Sequence, residues 1–501
     1  MPPNRAKTDF CQIVIDFRPL LFVIGILLTT LAFVMCLPAI VDWSMDNPDW
    51  QVFTASALIT LFLGICLMLG NRSDNFRFTI HQAFLLTTLS WLTIGMFGSL
   101  PFMFSNLDLS FTDAVFEAMS GITTTGSTVI TGLDFAPPGI LLWRALLQWL
   151  GGIGIVVMAI AVLPMLRVGG MQLFHMESSD TSEKVMPRTA QIAGGIGLIY
   201  LFLTLICSAA LWLSGMSGFQ AIAHAMTTIA TGGFSTSDNS VGYFNSATID
   251  IIITCFMILG SMPFVLYLQA VRGNVMLRSS WQPLFTDSQV RWFLSIIFLA
   301  VATLTCWQWL RDDVTFLEAL RYASFNSVSL MTGTGYSTTD FGLWGGFAVL
   351  LLFFLMVVGG CAGSTTCGIK IFRFQVIYAI AKAQIGRLMQ PHGVFTPYYN
   401  RKPIPPDVSE SVMGFFFLFV LVFTVLALGL SFIGLDFLTS MSGAATAIAN
   451  VGPGLGEIIG PARTFAPLPD SAKWLLSCGM LIGRLELFTV LILFVPSFWR
   501  G

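Results

Sequence analysis

Charge is what this sequence has least of. Of its 501 residues only 10% are Asp, Glu, Lys or Arg, while 55% are apolar and the mean hydropathy is +0.81. A soluble domain carries about 25% charged residues. The chain therefore has too few polar side chains to cover a water-facing surface, and it reads as an all-α polytopic membrane protein. The net charge of −2 comes without any basic stripe, so no nucleic-acid partner is expected. The nine cysteines are odd in number, scattered mostly through apolar runs, and form no CxxC pair. Neither a disulfide framework nor a zinc site is indicated. Enzyme signatures are missing too: there is no HExxH, no GxSxG, no phosphate-binding Walker loop and no carboxylate pair inside a span. A membrane enzyme or receptor is thus a remote alternative.

What the chain does have is long apolar runs, and runs of about 18 residues or more mark spans. Ten are expected. A leading pair covers 20–40 and 52–69, followed by four units. Their spans are 80–102 with 139–165, 190–213 with 249–271, 292–310 with an interrupted 347–381, and 412–433 with 474–496. The first run is too long for a signal-peptide core and reads as a retained span. The resulting division is 1–78 for the leading pair, then 79–188, 189–286, 287–406 and 407–501 for the four repeats.

Between the two spans of each unit sits a stretch too short to cross a bilayer, followed by a glycine loop. The loops read TTTGST (123–128), ATGGFST (230–236), TGTGYST (332–338) and NVGPGLG (450–456), and align on Gly126, Gly233, Gly335 and Gly452. Of the 24 Lys and Arg, 18 fall on the side of the termini, five on the side of the loops, and Arg484 within a span. By the positive-inside rule the termini are cytoplasmic and all four loops face outward. The repeats are parallel, unlike the inverted repeats of many secondary transporters.

The short stretches, SFTDAVFEAMSG (110–121), SGFQAIAHAMTTI (217–229), VTFLEALRYASFNSV (314–328) and DFLTSMSGAATAIA (436–449), read as half-helices. Three of them begin with or near a residue suited to an N-cap. Twelve helical residues cover about 18 Å, roughly half the hydrocarbon core, which directs the partially negative C-terminal ends toward the bilayer centre. Non-helical backbone at that depth is tolerated only where it lines a water-filled cavity or is buried in protein. Its free carbonyls can coordinate a dehydrated cation, and glycine permits the positive φ that turns successive carbonyls toward one axis. One such loop alone would read as a packing glycine. Four at near-regular spacing, each after a half-helix, read as a pseudo-fourfold pore. The third loop contains the T-G-Y triad of potassium-channel filters, and the other three are degenerate versions.

Acids follow each filter glycine: Asp134, Asp238, Asp340 and Glu457. They read either as turn caps or as a ring that concentrates cations at the outer mouth. The last span of unit three contains GGCAGSTTCGIK (359–370), where Gly359, Gly360, Gly363, Ser364, Thr365 and Gly368 break regular helix at membrane depth. This run reads as a loop across the pore below the filter. Arg484 lies mid-span with Glu486 nearby and needs a partner. It either locks two helices through an ion pair or donates to the free carbonyls of the 359–368 loop and forms a gate with it.

These residues resemble the Trk/Ktr/HKT superfamily of potassium-translocating membrane subunits, and most closely its TrkH type. The resemblance is carried by WRALLQWLGGIGI (143–155), the four glycine loops, GGCAGSTTCGIK, GRLELF (483–488) and MQLFHMESSDTSEKVMPR (171–188). It implies K+ as the transported ion, with Rb+ permeating and no organic cofactor bound by this chain. It also implies a homodimer with one pore per protomer, in the inner membrane of a bacterium. A cytoplasmic TrkA-like subunit that binds NAD or ATP would regulate opening. Filter contacts carried over by position are Thr124 and Thr125, Thr231 and Gly232, Gly333 and Thr334, and Asn450 and Val451, each pair ending at its aligned glycine. A serine in place of the first glycine goes with sodium selectivity in HKT relatives, and Gly126 stands there here. The chain departs from the pattern at Thr366 and Cys367, where relatives run on into glycines, and in HMESSD. A proton- or sodium-coupled carrier is the alternative, with His224 in the second half-helix as the titratable group nearest the filter.

Overall fold

The computed structural model describes residues 16–72, 79–161, 185–272, 278–311, 314–400 and 402–500. The 171–184 part of the MQLFHMESSDTSEKVMPR segment, and the basic residues Arg5, Lys7, Arg77, Arg167, Lys184 and Arg401, lie outside the described residues.

The described residues are all-α apart from a two-stranded hairpin that pairs Tyr398–Tyr399 with Lys402–Pro403. Among the described residues seven helices are long and apolar enough to cross a membrane, and two bent helix pairs would bring the number to nine. The tenth expected span is Gly346–Val357, followed by the intramembrane loop and Ile371–Met389. Two leading helices, Arg18–Ser44 and Trp50–Gly70, pack along each other with Gly25 and Gly64 in close contact. They join the rest where Asp42 Oδ1 accepts the Gly139 N–H at 2.6 Å.

Each of the four units then repeats one order: span, short helix, loop, span. The short helices are Phe111–Ile122, Gly218–Ile229, Phe316–Met331 and Phe437–Ala449. All four carry a working N-cap, in which Ser110, Ser217, Thr315 and Asp436 accept an N–H three residues on. Caps matter here because a short helix has few internal bonds to offset its costly first turn.

One interruption was expected from the sequence, and among the described residues three are present. Ala247–Gly260 and Phe264–Val271 meet at 88°, and Asp470–Arg484 and Leu487–Phe494 at 114°. Pro263 explains the first bend, since it lacks an N–H and restrains the residue before it. At the second, Glu486 adopts φ 61, a left-handed conformation rare outside glycine.

The charge count by loops also needs correction. Arg144, Lys370, Arg373 and Lys473 are no more than 5% exposed. A buried charge requires a partner, and three of the four have an acid: Glu117 for Arg144, Glu486 for Arg373 and Asp113 for Lys473. With Arg321 to Asp250 at 2.6 Å, these pairs tie unit two to three, three to four and four to one.

Candidate functional site

The four glycine loops meet in one closed ring. A Cβ added at Gly126 would strike the Gly232 carbonyl, one at Gly233 the Thr334 carbonyl, one at Gly335 the backbone of Gly452, and one at Gly452 the backbone of Gly126. Each loop therefore presses on the next, and the fourth closes on the first. Only glycine allows backbones to approach this closely.

The loops also share a backbone pattern. Thr124, Thr231, Gly333 and Asn450 have φ of 53, 51, 72 and 53, all left-handed, and each stands two residues before its aligned glycine. Gly126, Gly233 and Gly335 are left-handed again, at 87, 79 and 82, while Gly452 is not. A β-branched threonine in this region is a genuine outlier, costing on the order of 1–3 kcal/mol unless its surroundings enforce it. Among the described residues, nothing donates a hydrogen bond to the carbonyls of Thr124, Thr231, Gly333 or Asn450. Each short helix runs directly into the ring, so the partially negative helix end lies beside these free oxygens. Two carbonyls of the expected set accept a side-chain donor: Gly232 O from Gln148 Nε2 at 2.6 Å and Gly452 O from Ser127 Oγ at 2.8 Å.

A buried brace in every unit holds its loop, and sequence reading missed all four as a set. Glu117 accepts the Val129 N–H at 2.9 Å, the Thr128 hydroxyl and Arg144 Nε at 2.8 Å. Arg144 in turn donates to Ser235 O at 2.7 Å and stacks on Phe234. His224 Nε2 bonds Ser235 Oγ at 3.1 Å and its Nδ1 meets Gln220 O at 2.9 Å. Asn326 bonds Thr338 through both side-chain atoms. Ser442 both donates to Leu455 O and accepts its N–H. Each brace links the short helix to the segment leaving the filter loop, 11 to 13 residues on. A polar residue about nine positions before each aligned glycine was the available signal, but its four chemistries differ. In the third loop Tyr336 adds a strut, its hydroxyl bonding Thr227 of the second short helix.

The intramembrane loop lies on the side of the ring where the short helices end. Thr365 Oγ1 is 3.1 Å from Thr231 Oγ1 and from Ile229 O, and 3.0 Å from Gly260 O. Its backbone joins the bend of unit two: the Cys361 N–H donates to Ser261 O, the Thr365 N–H to Gly260 O, and the Phe264 N–H to Gly363 O. Gly359 and Ile369 close the neck of the loop. Ser364 bonds Cys361 O and Thr366, and Gly363 and Gly368 take the positive φ that the reversals require.

Arg484 is 1% exposed and forms no ion pair among the described residues. It donates from Nη1 to Thr365 O at 3.2 Å and to Cys367 Sγ at 2.7 Å, and from Nη2 to Gly151 O at 2.8 Å. Glu486 is taken instead by Arg373, at 2.5 Å. Arg484 thus reaches one carbonyl of the 359–368 loop, Thr365 O, and does not pair with Glu486. A small cavity beneath the loop is lined by Thr366, Cys367, Lys370, Arg484 and Glu486 among others.

The four acids separate. Asp238 Oδ1 accepts the N–H groups of Gly132 and Leu133, both at 3.0 Å, so it caps the turn of the neighbouring unit. Asp340 caps its own turn through the Gly342 N–H at 3.0 Å. Asp134, Asp238 and Glu457 are exposed and Asp340 is half-buried.

The chain matches the family described as TrkH, cation transport protein, over residues 49–500. It is 47% identical, over the full length of both chains, to the Trk system potassium uptake protein TrkI of Halomonas elongata. It is 40% identical to the Trk system potassium uptake protein TrkH of Vibrio parahaemolyticus, with 97% of this chain and 100% of that one covered. The crystal structure of the potassium transporter TrkH from Vibrio parahaemolyticus superposes with a TM-score of 0.90 at 38% identity, covering 97% of this chain and 100% of that chain.

Proposed function

This chain belongs to the TrkH family of cation transport proteins, and from that premise we propose that it takes up K+ across the membrane through the ring of four glycine loops. The observation that carries the reading is the shared left-handed position at Thr124, Thr231, Gly333 and Asn450, with carbonyls left free of hydrogen bonds. Four such oxygens around one axis can replace part of the hydration shell of a cation. Thr125, Gly126, Gly233, Thr334, Gly335, Val451 and Gly452 complete the filter, and the negative ends of four short helices favour the charge.

The 359–368 loop and Arg484 form the gate in this reading. The loop abuts the ring through Thr365 and Thr231, and Arg484 adds a positive charge at the same level. Asp134 and Glu457 draw cations to the outer mouth, while Asp238 and Asp340 chiefly cap turns. The remaining parts of the proposal rest on the family likeness: a homodimer in a bacterial inner membrane, both termini cytoplasmic, regulated by a TrkA-like nucleotide-binding subunit.

The test is ion flux through purified protein in K+-loaded liposomes, with gradient and voltage set independently. Flux that reverses at the K+ equilibrium potential is the expected result. A reversal that moves with a proton or sodium gradient would establish coupling instead. No K+ flux in any condition would defeat the reading.

A further inference from the structure

Three of the ring loops carry a side chain immediately before the aligned glycine: Thr125, Thr334 and Val451, all at most 1% exposed. Their polar groups are satisfied within the ring. Thr125 Oγ1 meets Thr123 Oγ1 at 2.8 Å and Asn450 Nδ2 at 2.9 Å, and Thr334 Oγ1 meets Thr332 Oγ1 at 2.8 Å. The second loop has Gly232 there and nothing of its own to fill the space.

The space is filled from another element. A Cβ built on Gly232 would fall among the amide atoms of Gln148, a fully buried residue on the helix Pro138–Ala161. Gln148 donates from Nε2 to Gly232 O at 2.6 Å and accepts the Phe234 N–H on Oε1 at 3.0 Å. One partner can only accept and the other can only donate, so the orientation of the amide is fixed by its surroundings. The pair of bonds brackets Gly233, the aligned glycine of this loop. Gly232 is not in the left-handed region, so a side chain there meets no backbone strain, only the side chain of Gln148.

Building on the filter reading above, we propose that Gln148 is a positioning residue for ion selection: it stands in for the side chain that Gly232 lacks and holds that carbonyl at a fixed setting behind the ring. Without it the Gly232 carbonyl and the Phe234 N–H are unpaired, the backbone on either side of Gly233 is no longer held, and the neighbouring Thr231 carbonyl loses its fixed place at one of the ring's four corners. Fixed carbonyl geometry is one of the terms that separates K+ from the smaller Na+.

The experiment compares K+ and Na+ flux through the purified full chain in liposomes, for wild type, Gln148→Met, Gln148→Ala, Gly232→Thr and the pair Gln148→Ala with Gly232→Thr. Gln148→Met keeps the volume and removes both hydrogen bonds. The K+/Na+ flux ratio is expected to fall, because the unpaired carbonyl and N–H no longer hold the loop in one setting. Gly232→Thr alone is expected to fail through collision with Gln148, and the paired substitution relieves that collision without restoring the bonds to Gly232 O and the Phe234 N–H, so its ratio is expected to stay as low as that of Gln148→Ala. Variants are compared only where size-exclusion profiles match wild type, and the paired variant supplies the answer if Gln148→Met does not fold. An unchanged ratio in Gln148→Met, or a pair that recovers the wild-type ratio without those two bonds, overturns the proposal. Wild-type protein that passes no K+ would remove the parent reading, and this one with it.

Discussion

Replacing Thr365 with valine removes one hydroxyl and almost no volume at the point where the intramembrane loop touches the ring. That hydroxyl has two carbonyls within reach, Ile229 O at 3.1 Å and Gly260 O at 3.0 Å, and lies 3.1 Å from Thr231 Oγ1. A hydroxyl carries one proton and serves one carbonyl at a time. Gly260 O keeps the Thr365 N–H at 3.3 Å, so the carbonyl at the end of the second short helix, Ile229 O, loses its donor from this residue. A buried group left unpaired costs about 1–3 kcal/mol. If these bonds exist only with the loop seated, the seated state loses that amount relative to the displaced one. The equilibrium then shifts about 5- to 150-fold. Rb+ uptake into K+-loaded liposomes at fixed gradient should rise accordingly in Thr365→Val, and Thr365→Ser, which keeps the hydroxyl, should remain near wild type. Uptake in Thr365→Val that matches wild type and Thr365→Ser would refute the idea that this contact holds a gate shut.

Other expectations concern the scaffold. Glu117→Gln leaves Arg144 charged and buried without its acid, so detergent-solubilised protein should lose about 3–5 kcal/mol of stability. An unfolding temperature equal to wild type would contradict the brace. Asp134→Asn with Glu457→Gln should weaken apparent K+ affinity at low ionic strength and have little effect at high salt, since exposed charges act through a screened field; equal affinities at low salt would count against an outer ring. At Thr315–Glu318, the carboxyl of Glu318 is held below its ordinary value, first by the Thr315 hydroxyl at 2.8 Å and then by the Thr315 N–H at 3.1 Å. A lowered folded-state pKa means that the capping box stabilises above the unfolded-state value and that this contribution is lost as pH falls through the folded-state value. The difference in thermal stability between wild type and Glu318→Ala should therefore shrink on acidification below about pH 4, and a difference that is constant from pH 7 to 3 would exclude the ionised cap.

Much of the architecture was legible because a bilayer imposes lengths. Apolar runs had to be long enough to cross it, and the short helices too brief to do so, which is why ten spans and four half-helices could be laid out by counting. The glycine alignment was legible for a similar reason: a backbone that approaches another backbone tolerates no side chain, and that leaves a mark in the sequence. The breaks at Ser261–Pro263 and Glu486 were less visible. A single proline or a single left-handed residue inside an apolar run does not change its composition, and only the surrounding packing decides whether the run bends.

By itself, then, the sequence determined that the chain lives in a membrane, that it is built from four like units, and which glycines align. It did so through periodicities and lengths that are local to the chain. Tertiary structure alone decided which loop closes on which, that Gly232 is completed by Gln148, and that Arg484 holds Thr365 and Gly151 while Glu486 turns to Arg373. Buried polar groups must each find a partner of the right sign and shape. Those partners lie 84, 119, 333 and 113 residues away along the chain, a separation over which no local pattern carries the pairing.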